Sequence, residues 1–152
     1  MKANVKVVDL DCEEKPNPLK HEEAFVRSFI LADKQARYLE MLASAKRRDG
    51  FLNRLNHHLD YDPTYAVRVP PSKQNDRDIE QLLRECGAPD FCHTISSLAR
   101  WDGLDLPLQK ALELVVGNNI GTVICCVSGR LAYWESEDLG ERYILSKCST
   151  LR

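Results

Sequence analysis

Apolar residues recur at intervals of three and four from His21 onward, and that spacing predicts helix. Phe25, Phe29 and Ile30 share one face. Asp33 can cap a second helix in which Ala36, Leu39 and Met41 or Leu42 extend the stripe, and Phe51, Leu52, Leu55 and Leu59 mark a third that begins at Ser44. Asp62-Pro63 ends the periodicity, because a residue before proline is pushed out of the α region. VRVPPSKQND then reads as a linker or surface loop. From Asp76 the helical spacing returns with Ile79, Leu82, Leu83 and Cys86, and Gly87 stands where a left-handed C-terminal cap belongs.

Beyond residue 90 the pattern turns toward strands. FCHTIS (91 to 96) is the first, PLQKALELVVGN (107 to 118) is an intervening helix with Pro107 in its first turn, and three β-branched and aromatic runs between 120 and 146 predict an antiparallel meander. Ile120 to Val127 is apolar on both faces and is expected at the centre of the sheet. The more polar Glu141 to Ser146 is expected at an edge. Residues 1 to 20, with a short strand at Val5 to Leu10 and then the prolines of CEEKPNPLK, form an arm. The sum is one α+β domain over 1–152: an arm (1–20), a mainly helical part (21–88) and a β-α-β-β-β part (90–148). Helices pack on one face of a small, mainly antiparallel sheet that ends in a three-stranded meander.

Composition adds little to this picture. The 152 residues are 43% apolar and 29% charged with a formal charge of -2, which gives no overall field toward nucleic acid or membrane. No long apolar run opens the chain or crosses it, so a cytoplasmic protein is expected, and the six cysteines are expected as reduced thiols.

The densest reactive cluster is FLNRLNHHLDYD. Neighbours on a helix diverge by about 100°, so His57 and His58 should not meet one ion. Asp62 before Pro63 is expected to cap a following turn. His58, at the border of the apolar stripe, is the candidate general base, with Asp60 or Asp62 orienting it in a small hydrolase-like enzyme. His93 is a second candidate, although its place between Phe91 and Ile95 on one strand face suits half-buried structure better. Cys86, Cys92 and His93 invite a zinc reading, but adjacent strand residues face opposite ways, and neither metal nor cofactor is expected. The glycines of VVGNNIGT follow a helix instead of opening one, so no phosphate cradle is expected there. Lys46, Arg47 and Arg48 occupy the start of a helix, where the dipole prefers acids; that placement suggests phosphate, nucleic acid or an acidic partner. Arg100, Trp101 and Asp102 lie in a loop whose residue types are enriched at binding hot spots. The leading expectation is therefore a binding or regulatory module that contacts another protein or a second copy of itself. The hydrolase comes next, and nucleic-acid contact through 46–48 is the weakest reading.

Overall fold

A computed structural model describes residues 18–147. The arm's strand at Val5 to Leu10, Cys12 and Cys148 lie outside the described residues. Three helices come first: α1 (Pro18–Phe29), α2 (Gln35–Leu42) and α3 (Ala45–His57). Then follow β1 (Ala66–Arg68), α4 (Asp76–Glu85), β2 (Phe91–Ser96), β3 (Asp105–Pro107), α5 (Leu108–Val115), β4 (Thr122–Val127), β5 (Leu131–Glu135) and β6 (Arg142–Ser146). The six strands form one antiparallel sheet in the order β1-β6-β5-β4-β2-β3, with the meander β4-β5-β6 at its centre.

Both faces of this sheet are covered, which departs from the expectation of helices on one face only. Phe25, Phe29, Tyr38, Phe51 and Leu55 of α1 to α3 pack against Ile95, Val123, Trp134 and Leu145. Ile79 and Leu83 of α4 and Leu108, Leu112 and Val115 of α5 pack against Ile124, Leu131, Tyr133 and Ile144 on the other side. The two-sided apolarity of β4 is the reason: alternate residues of a strand point to opposite faces, and each apolar set must leave water.

The edges also differ from expectation. Residues 142–146 pair with β5 on one side and β1 on the other, so β6 is internal. The edges are β1, which overlaps the start of the segment expected to be a linker, and β3, inside the loop before α5. Each has three residues, too few for alternation to show. The ends of α4 follow local chemistry: Asn75 Oδ1 accepts from the Asp78 N–H, and Gly87 takes φ 99° as its N–H and that of Ala88 bond back to Arg84 and Leu83. No helix among the described residues is long and apolar enough to cross a membrane.

Candidate functional site

A polar cluster is sealed under α1, where that helix crosses β2. Glu22 lies three and seven positions before Phe25 and Phe29, on the buried face of α1. Arg48 lies three and seven before Phe51 and Leu55 at the margin of the α3 stripe. His93 points to the same side of the sheet as Ile95 and stands directly across from Asp105 of β3.

His93 has no exposed surface, and both of its ring nitrogens meet carboxylates: Nε2 lies 2.9 Å from Glu22 Oε2 and Nδ1 lies 3.0 Å from Asp105 Oδ1. A neutral ring would turn a lone pair toward one of these anions, so the arrangement suits an imidazolium that donates to both. Burial pulls its pKa down, but the hydrogen bonds to Glu22 and Asp105 outweigh burial and leave it raised. Burial pushes Glu22 up, yet the bonds from His93 and Arg48 leave it lowered.

Arg48 closes the other end of the cluster. Its Nη1 and Nη2 donate to Glu22 at 2.6 and 2.9 Å, and its Nε and Nη2 donate to Asp102 at 3.0 Å each. The Ser96 N–H also donates to Asp102. Three carboxylates against two cations leave one net negative charge. Glu22, His93, Arg48 and Asp102 are largely enclosed, whereas the Asp105 side chain is 51% exposed. The excess charge therefore meets solvent at Asp105.

Asp105 borders a shallow cleft of about 360 Å³ shared with His21, Pro89, Phe91, Cys92 and Cys126. Phe91 is 66% exposed there, one of two large apolar side chains so presented among the described residues. The His21 ring stacks on His93 at 5.5 Å, and its Nδ1 is buried without a hydrogen bond. Burial, and then the charge on His93, lower the His21 pKa, so it stands neutral beside the cleft. Burial raises the Cys92 thiol to about 12 and raises Cys126 further, leaving neither as a ready nucleophile.

The residues singled out by sequence are dispersed over the fold. His93, Arg48 and Asp102, read separately as a base, a nucleic-acid contact and a partner contact, belong to this one cluster. Lys46 and Arg47 remain exposed. Of the 100–102 loop, Trp101 is buried in the second core and only Arg100 is exposed. His58 is exposed beside a groove of about 440 Å³ formed with Asn53, Arg54, Asn56 and His57. Asp60 is held by Tyr38 and Arg54, and Asp62 caps the next turn by accepting from the Thr64 N–H, so neither carboxylate is bonded to His58. The two histidine rings meet edge to face at 4.2 Å instead of diverging, because His58 has left helical geometry (φ -124°, ψ 33°).

The VVGNNIGT loop does turn N–H groups toward an anion, which glycine spacing alone did not predict. Gly117 and Asn119 donate to Glu135, a fully buried carboxylate that also accepts from the Tyr133 hydroxyl. Arg142 Nε lies 3.2 Å away as an ion-pair partner without hydrogen-bond alignment. The chain supplies its own anion there.

Sequence reasoning missed Glu22, His21, Asp105 and Glu135. The available signal was placement: a carboxylate on the apolar face of a helix, or at the end of a buried strand, requires a partner. No protein-family model, curated protein or solved structure matches the chain.

Proposed function

We propose that this chain is an intracellular protein-binding module whose working face is the cleft of Phe91 and Asp105, and that this face takes a basic group from its partner. The observation that carries the reading is the surplus negative charge of the buried cluster, which emerges at Asp105 beside an exposed aromatic ring. A guanidinium or ammonium can pair with the carboxylate while lying against the ring. Each contact is worth only about 0.5–1 kcal/mol at an exposed site, so the affinity would be modest and would weaken with salt.

Other readings have less support. A general base needs a free lone pair, and both His93 nitrogens are taken. His58 lacks an orienting carboxylate, since Asp60 and Asp62 are engaged elsewhere. Arg48 is spent inside the fold, which leaves Lys46 and Arg47 as a thin basis for nucleic acid.

The test uses a labelled nonapeptide alternating arginine and leucine, with its glutamate counterpart as control, in fluorescence anisotropy titrations. The arginine peptide should bind and the glutamate peptide should not. Phe91→Ala and Asp105→Asn should each weaken binding about fivefold, the equivalent of ~1 kcal/mol, whereas Arg100→Ala should leave it unchanged. Equal binding of both peptides, or insensitivity to both cleft substitutions, would overturn the proposal.

A further inference from the structure

The opposite edge of the sheet carries what the Phe91 face lacks. Between β1 and α4 runs a second groove, about 160 Å³, floored by Val67, Pro70, Leu82 and Ile144 and rimmed by Arg68 and Lys73. It is smaller than the ~300–1,000 Å³ of small-molecule pockets, a size suited to one protruding side chain. Arg68 shares its charge with Glu141 at 3.4 Å, while Lys73 is exposed and has no ion pair among the described residues. At the other edge two acids stand near Phe91: Asp90, paired with Arg84 at 2.7 Å and 84% exposed, and Asp105, whose Oδ1 meets His93 at 3.0 Å and whose side chain is 51% exposed toward the cleft.

We infer that the partner of the Phe91 face is a second copy of this chain: Phe91 of one molecule seats in the β1–α4 groove of the next, and Asp105 faces that molecule's Lys73. This rests on the reading of Phe91 and Asp105 as the binding face and names its occupant. Charge complementarity and the match of a protruding ring to an apolar groove carry it. The contact joins two different surfaces at opposite ends of the strand order, so it is heterologous and repeats from molecule to molecule instead of closing as a twofold dimer. Pro107 lies within β3, and Pro70 and Pro71 follow the three residues of β1, so both edges are short and side chains supply the contact.

Sedimentation velocity on the full chain, from micromolar to millimolar concentration, tests this. The wild type should sediment faster as concentration rises, with no plateau at the dimer. Phe91→Glu, which spoils the ring but keeps the groove, and Val67→Glu, which spoils the groove but keeps the ring, should each weaken self-association about tenfold or more. Lys73→Glu serves in place of Val67→Glu if circular dichroism shows the latter unfolded. An equimolar mixture of the two variants should form a one-to-one dimer and nothing larger, since each retains one intact surface. A wild type that stays monomeric, or a mixture that stays monomeric, overturns the self-association. Binding of the arginine peptide by the same preparations is read separately: if it persists, the Phe91 face stands with a different partner, and if it too is lost, the functional reading falls as well.

Discussion

His93 shows how far one side chain can set the properties of a surface. Enclosed between Glu22 and Asp105, it holds the imidazolium form, and its raised pKa couples folding to pH. A group whose folded pKa lies above its unfolded value near 6.5 contributes fully below that value and loses the contribution as pH rises through the folded pKa. Glu22 works in the opposite sense: its contribution is present above about 4.5 and disappears as pH falls through its lowered folded value. Urea denaturation from pH 5 to pH 9 should therefore show stability declining on the alkaline side in the wild type. In His93→Gln this decline should be lost, with overall stability lower by about 3–5 kcal/mol because two carboxylates lose their shared cation. A variant that keeps the wild-type alkaline slope would show that His93 is not the titrating group.

At the scale of elements, two buried contacts fasten the helices to the sheet. Glu135 ends β5 and gathers the N–H groups of Gly117 and Asn119, so it fixes the turn from α5 into β4. Glu135→Gln keeps the shape but replaces one acceptor oxygen with a donor facing those N–H groups. The expected loss is about 1–3 kcal/mol, read from the urea midpoint. Gly121 lets β4 start against the end of α3: a Cβ there would stand 2.5 Å from the Asn56 backbone nitrogen and from the Leu55 carbonyl carbon. Gly121→Ala should cost about 1–3 kcal/mol through backbone displacement, visible as a lowered Tm. A neutral Gly121→Ala would mean that α3 and β4 are less closely held than their geometry indicates.

These elements also mark what the sequence made legible. Helix periodicity in 21–59 and 76–86, and the meander after residue 120, follow from local spacing and are present in the structure. The edge strands β1 and β3 were not legible, since three residues carry no period and their pairing partners lie far away in the chain. The polar cluster was legible only in fragments. His93 was placed on its correct strand face, and the odd seat of Arg48 at a helix start suggested an acidic partner. That partner turned out to be internal, 26 and 54 residues away, at separations no local pattern reports.

Across the whole molecule, the sheet divides two apolar cores, and its two edges present unlike surfaces: Asp105 with Phe91 at one, Lys73 and an apolar groove at the other. Leu139, 84% exposed in the turn whose Gly140 carbonyl receives Arg68, adds apolar surface to the second edge. The acidic end follows from the burial of unequal charge, because three carboxylates and two cations in the cluster leave a remainder that faces water at Asp105. The most direct measurement is an amide-resolved NMR titration of the full chain with the arginine-leucine nonapeptide, which surveys the described surface in one experiment. Shifts should gather at Asp90 to His93, at Asp105 and at His21. Shifts confined to the His57–His58 groove, or to the neighbourhood of Arg100, would contradict the assignment of the working face to Phe91 and Asp105.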